Sequence, residues 1–242
     1  MFRLITCFLY ISGFLIYSIP QLTRIKKLSH LPVNQLDKIA HEYPKRFSKT
    51  FMKLTGSDVR VEGLELIPEG PVVFIANHES DFDIPVLLTT IDKPFGFVSK
   101  IEVRKVPILS AWLDAINCIL IDRKNREQAL NSMQEGVKLL KEGHSLVIFP
   151  EGMRSMGGPV LPFKVGGIRL AQDAGMPIVP IAIKGTADVF EKNGRLIKPA
   201  QIKVTIGEPI NPKIHYHKDY NDLAEEVRRI IIDNREESNI AS

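Results

Sequence analysis

Seven short apolar runs, at residues 59–63, 71–77, 95–99, 116–121, 145–149, 178–184 and 201–206, recur along this chain with helical patterns between several of them. Runs of this length, rich in Val, Ile, Leu and Phe, read as buried strands. The stretches between them have a different period. Residues 125–142 set Ala129, Met133, Val137 and Leu140 on one face, and 165–174 reads as a further helix. A last helix at about 219–235 places Leu223, Val227, Ile230 and Ile231 at helical spacing. Strands alternating with helices specify an α/β fold, a mixed, largely parallel sheet flanked by helices. At 242 residues and 44% hydrophobic, the chain suits one large domain. Gly56, Gly63 and the proline-punctuated stretches at 68–71 and 209–212 read as turns, and there is no internal repeat.

The amino terminus obeys another pattern. No charge falls between Leu4 and Thr23, and most positions are Leu, Ile, Phe or Tyr. About 20 apolar residues suffice to cross a bilayer, but Ser12-Gly13 and Pro20 interrupt the run, whose strongly apolar part ends near Ile19. Arg3 would suit a signal peptide, yet no small-x-small cleavage site follows. The reading is an uncleaved helical membrane anchor, either a short span or a helix pair dipping into one leaflet. Residues 34–54 form a helix through Leu36, Ile39, Phe47, Phe51 and Leu54, with an interruption expected at Pro44. Residues 21–60 carry nine Lys and Arg against Asp37, Glu42 and Asp58. A basic block beside an apolar terminus indicates an anionic membrane surface, not nucleic acid, as its partner. Arg24, Lys26 and Lys27 then mark the cytoplasmic side. Cys7 and Cys118 give no disulfide framework, consistent with a reducing compartment. The chain divides into an anchor and basic helical segment, 1–58, and a globular domain, 59–242.

The chemistry concentrates after the second run, in Asn77-His-Glu-Ser-Asp-Phe-Asp83. Ser80 and Asp81 offer an N-cap for a helix through Ile84 to Leu88. A histidine at a strand's carboxyl end can bond an acid in the first helical turn through one ring nitrogen, which leaves the other free to take a proton. His78 is the candidate base and Asp83 its orienting carboxylate, with Asp81 capping the helix or facing solvent. Glu79 invites comparison with a zinc His-Glu motif, but the second histidine is absent. Gly143-His-Ser145 lacks the closing glycine of a nucleophile elbow. His215-Tyr-His217 has no third ligand, so no metal site is expected. Downstream, Phe149-Pro-Glu-Gly-Met-Arg-Ser155 follows another strand. Gly152 permits a tight backbone, Arg154 can fork two hydrogen bonds onto a phosphate, and Glu151 can accept from a glycerol hydroxyl or hold Arg154. Lys164 can add positive charge nearby, and Cys118 reads as buried packing.

The order His-x-x-x-x-Asp, then Phe-Pro-Glu-Gly-x-Arg-Ser, then Val179-Pro-Ile-Ala182, resembles the glycerolipid acyltransferase family from about residue 60 to 210. Within it the bacterial type acting on 1-acyl-glycerol-3-phosphate is the nearest. The stretch Ser99-Lys-Ile-Glu-Val-Arg-Lys-Val-Pro107 with Ile119-Leu-Ile-Asp-Arg123 is similar to the family's second block. The resemblance implies that 59–242 is an acyltransferase domain and that the anchor is a helix pair in one leaflet. It implies direct attack by an acceptor hydroxyl on an acyl thioester, with acyl-CoA or acyl carrier protein as co-substrate and no cofactor. Lysophosphatidic acid would be the acceptor and phosphatidic acid the product, at the cytoplasmic face of the inner (cell) membrane. Lys100, Arg123 and Arg154 would bind phosphate, and Lys105 with nearby backbone N–H groups would serve the oxyanion. Three departures stand out: Met153 replaces a small hydroxyl residue, and Ala111 and Asn117 lie where relatives commonly carry glycines. Other readings are a different lysolipid acceptor, a hydrolase or transacylase using the same pair, and a non-catalytic membrane-tethered lipid-binding protein.

Overall fold

In the computed structural model, residues 1–211 and 219–237 are described; His215 and His217 fall outside them. Seven strands form one sheet: β1 Asp58–Glu62, β2 Val73–Ala76, β3 Gly96–Lys100, β4 Ile119–Ile121, β5 Leu146–Ile148, β6 Ile178–Lys184 and β7 Gln201–Ile206. Their order is β1-β7-β6-β2-β5-β3-β4. Every neighbouring pair is parallel except β6 with β7, which is antiparallel. The expected mixed, largely parallel α/β sheet is therefore present.

Successive strand residues face opposite sides, so the sheet divides its core in two. Val72, Phe74 and Ala76 pack with the layer containing α1 Phe2–Lys27, α2 Val33–Thr55, α3 Asp83–Thr90 and α4 Pro107–Ala115. Val73 and Ile75 face α5 Arg126–Glu142, α6 Gly166–Ala174 and α7 Tyr220–Glu237. All four residues of β2 are fully buried, which explains a run apolar on both faces.

One expectation about helix continuity fails. α2 passes through Pro44 without a break, and α1 passes through Ser12-Gly13 and Pro20. A proline removes one backbone donor at a cost of about 3 kcal/mol. Here α2 packs along α1 and α3, and helical stability in proteins comes chiefly from such packing. The helix α4 was not signalled by the sequence pattern, which instead started a strand at 116.

α1 does not stand apart from the globule. Arg3 donates to the Thr55 carbonyl at 3.2 Å, Tyr10 to the Phe47 carbonyl at 3.3 Å, and Trp112 Nε1 to Ser18 Oγ at 2.7 Å. Cys7, Ser18, Leu22 and Ile25 are buried against the protein. The opposite side exposes Phe2, Ile5, Phe8, Leu9, Ile16, Tyr17 and Ile19. α1 is long and apolar enough to cross a membrane by length and composition.

Candidate active site

The carboxyl ends of four adjacent parallel strands, β2, β5, β3 and β4, gather the candidate residues at one edge of the sheet. His78 follows β2, Glu151 to Arg154 follow β5, Lys100 ends β3, and Arg123 lies just past β4. Ligands bind at this edge in open α/β sheets.

Asn77 sets the position of His78. Its side chain donates to the Ile183 carbonyl at 2.9 Å and accepts the Ile183 N–H at 2.7 Å, standing in for one more rung of the β2–β6 ladder. The main chain is thereby released to turn. His78 Nδ1 then lies 2.7 Å from Oδ2 of Asp83. An ionised carboxylate only accepts, so Nδ1 carries the proton and Nε2 keeps its lone pair. The His78 side chain is 18% exposed and Asp83 is fully buried. Phe149 stacks on the imidazole at 4.3 Å between centroids.

Asp83 holds more than the histidine. Oδ2 also accepts the Glu79 and Ser80 N–H groups at 2.8 and 3.0 Å, and Oδ1 accepts the Thr186 hydroxyl at 2.5 Å. The helix start is organised by Asp83 itself, contrary to the expected Ser80 or Asp81 cap: Phe82 is the N-cap and makes no side-chain cap bond. Ser80 Oγ accepts the Phe82 N–H instead and donates to Glu191 Oε2 at 2.7 Å. Asp81 is exposed.

Glu151 is placed otherwise than the sequence suggested. It is only 4% exposed. Oε1 accepts the His78 N–H at 2.5 Å and Oε2 the Leu161 N–H at 2.8 Å. Burial pushes its carboxyl up, and those two N–H bonds pull it partly back. It braces the backbone of the histidine and does not touch Arg154. That guanidinium pairs with Asp81 and approaches Glu191 Oε1 at 3.4 Å. The loop is further stitched to the histidine turn by Ser155 N–H to the His78 carbonyl, 2.8 Å, and Met156 N–H to the Glu79 carbonyl, 3.1 Å.

Gly152 has φ +73°, a backbone that L side chains rarely adopt. Its carbonyl accepts from Arg123, and a Cβ there would sit 2.8 Å from Lys164 Nζ. Arg123, Lys164 and this turn thus converge. Lys100 and Lys105 are exposed, and neither has an ion-pair partner among the described residues. Lys105 ends the 3₁₀ turn Ile101–Lys105 after β3. Asn117 adopts φ +56°, the left-handed conformation that glycine takes most readily, so this departure keeps the local backbone. Met153 is exposed.

Beside this edge lies an apolar cavity of about 350 Å³. Its walls come from α1 (Ile11, Phe14, Leu15), α2 (Phe47, Phe51), α3 (Ile84, Leu88) and α4 (Trp112, Leu113). Asp81 and Ser99 are among its few polar lining residues. Val179-Pro-Ile-Ala182 is central core strand and does not line it. Phe149, Thr186 and Glu191 were not singled out from sequence, because their contacts with the histidine turn span 71 to 111 positions.

Residues 58–184 match the family model for acyltransferases. A probable 1-acyl-sn-glycerol-3-phosphate acyltransferase of Mycoplasma genitalium is 31% identical over 91% of this chain and 86% of that protein. The 1-acyl-sn-glycerol-3-phosphate acyltransferase of Cocos nucifera is 32% identical over 78% of this chain and 62% of its own length. The crystal structure of the 1-acyl-sn-glycerophosphate (LPA) acyltransferase PlsC from Thermotoga maritima superposes with a TM-score of 0.78. It is 27% identical, over 98% of both chains. The matched span carries every strand end that contributes to the histidine edge, and on that footing the chain belongs to the acyltransferase family and is an acyltransferase.

Proposed function

We propose that the enzyme moves a fatty acyl group from a thioester, acyl-CoA or acyl carrier protein, onto the sn-2 hydroxyl of 1-acyl-glycerol-3-phosphate, giving phosphatidic acid. The observation that carries this reading is the His78–Asp83 pair, 2.7 Å apart, on a turn whose Asp81 lines the apolar cavity and pairs with Arg154. The relatives named for this acceptor support the choice of lysolipid.

In this reading Nε2 of His78 takes the proton of the acceptor hydroxyl as its oxygen attacks the thioester carbonyl. Asp83 stabilises the imidazolium that forms. The tetrahedral intermediate collapses by breaking the carbon–sulfur bond, and the departing thiolate takes the proton back from His78. Lys105 and neighbouring backbone N–H groups are assigned to the oxyanion. Lys100, Arg123 and Arg154, with Lys164 and the Gly152 turn, are assigned to the acceptor phosphate. Arg154 then exchanges Asp81 for that phosphate. Glu151 acts through the backbone of His78 and touches no substrate. The cavity takes an acyl chain, and the reaction as written calls for no resident cofactor. The exposed apolar side of α1 lies in one leaflet, at the cytoplasmic face of the inner (cell) membrane.

Product analysis by mass spectrometry tests this, using purified enzyme, both thioester types and a panel of lysolipids. Phosphatidic acid is expected only with 1-acyl-glycerol-3-phosphate, and His78→Ala should lower turnover by about 10²–10⁴-fold. A different lysolipid product, free fatty acid alone, or full turnover by the variant would overturn it.

A further inference from the structure

Glu79 follows the base directly, is 1% exposed and has no part in the chemistry above. A buried carboxylate requires compensation, and here it comes from the far end of the chain. Arg235 on α7 donates to Glu79 Oε1 through Nε at 3.0 Å and Nη2 at 2.6 Å. Oε2 accepts the Gly185 N–H at 2.9 Å. The next residue, Thr186, lies 3.3 Å from Oε2 but 2.5 Å from Oδ1 of Asp83, so its single hydroxyl proton goes to Asp83. One continuous path leads from Arg235 through Glu79 and the Gly185-Thr186 turn to Asp83 and His78.

A second arginine of α7 reaches the loop that follows β5. Arg228 donates to the Leu161 carbonyl at 3.0 Å and the Val160 carbonyl at 2.7 Å. The Leu161 N–H in turn holds Glu151, which holds the His78 N–H. Residues seven apart share a helix face, so one face of α7 supports both segments that fix the imidazole.

Charge makes Arg235 the more telling of the two. The groups around His78 are Asp83 on α3, Glu79 and Asp81 on its own turn, and Glu151 and Arg154 after β5. Glu191 approaches from the segment after β6, and Arg123 and Lys164 meet at Gly152. From α7 comes Arg235, in a fork with the carboxylate next to the base.

We infer that Arg235 is a positioning residue for acyl transfer, holding the His78–Asp83 pair in register through Glu79 and offsetting the Glu79 charge beside the base. The inference rests on His78 being that base. Without Arg235, the turn loosens and a buried negative charge is left on Glu79, one Thr186 hydroxyl away from Asp83, favouring the protonated form of the imidazole.

The test compares wild type, Arg235→Gln, Arg235→Lys and the double variant Glu79→Gln/Arg235→Gln, with His78→Ala as control. Thiol release with a fatty acyl thioester and 1-acyl-glycerol-3-phosphate is followed across pH, and Tm is measured alongside. Arg235→Gln is expected to lower kcat about 10²-fold, the scale of a small misplacement of a reacting group, while the acceptor KM stays near wild type. The acidic limb of its kcat/KM profile should move to higher pH. The double variant should return that limb to its wild-type position with kcat still low, and Arg235→Lys should recover part of kcat. Wild-type kcat in Arg235→Gln overturns the inference. So does a lower kcat with an unmoved limb and a fallen Tm, which marks a merely structural role. If Arg235→Gln does not fold, the double variant, which leaves no lone buried charge, decides by its kcat alone, and a wild-type value is fatal. Failure of the base assignment looks different: His78→Ala would then turn over normally, whatever Arg235 does.

Discussion

Asp83 is the residue on which most contacts at the site converge. One carboxylate oxygen serves His78 and two backbone N–H groups, and the other serves Thr186. Asp83→Asn would keep the volume but remove the charge: an NH₂ at the Oδ2 position would donate to Nδ1 and turn the imidazole to the wrong tautomer, and a carbonyl there would leave the imidazolium without its counter-charge. kcat is expected to fall about 10²–10⁴-fold, with the fold intact by circular dichroism; a variant with near-wild-type kcat would remove Asp83 from its role. This pair was legible in the sequence because it is local, five positions apart across a strand-to-helix turn. Glu151 was legible as a site residue but not in its orientation, since the N–H groups it accepts belong to segments 73 and 10 positions away. The Arg154 pairings with Asp81 and Glu191 span 73 and 37 positions and the Glu79 fork with Arg235 spans 156, and no spacing rule announces them.

Among elements, strands were read more faithfully than helices. A strand buried on both faces writes its burial into every residue, as Val73 to Ala76 do. α2 writes only part of its packing into its sequence, so Pro44 looked like a break. α4 covers nine residues and opens on a proline, too short to show a period. Yet α4, with α1, α2 and α3, walls the cavity, which the proposed function assigns to an acyl chain. Leu113→Trp would shorten the space available. Each methylene left without an apolar surround costs about 0.8 kcal/mol, close to fourfold in selectivity. Competition between thioesters of different length should shift toward shorter donors by about that factor per displaced methylene. An unchanged product distribution would show that the acyl chain lies elsewhere.

For the molecule as a whole, two surfaces of α1 have separate consequences. Its outer side exposes Leu9 at 63% and Ile16 at 66% beside Phe2, Ile5, Phe8, Tyr17 and Ile19, and a contiguous exposed apolar patch of this kind marks an interaction surface. The double variant Leu9→Glu/Ile16→Glu leaves the inner side untouched and should cease to co-sediment with anionic vesicles in high salt; undiminished sedimentation would place the membrane contact on another surface. Global stability has its own marker in His41. Burial, aided by Lys45 and partly opposed by Asp37, lowers its pKa to about 4, and Nε2 has no hydrogen-bond partner among the described residues. The unfolded chain, titrating near 6.5, binds the proton that the native state refuses. Stability is therefore full above pH 6.5 and falls as pH drops toward about 4, by about 3 kcal/mol from this group. Thermal melts in detergent should show that loss, and His41→Phe should flatten it. The inner surface of α1 matters for traffic. Ile11, Phe14 and Leu15 line the cavity while Phe8 and Ile19, about one turn away, are exposed and would face lipid in the proposed leaflet setting. A fatty tail entering from the bilayer exchanges one hydrocarbon surround for another. A ten-carbon stretch is thus spared a passage through water that would cost on the order of 8 kcal/mol, and capture can be quick even for a substrate that scarcely dissolves.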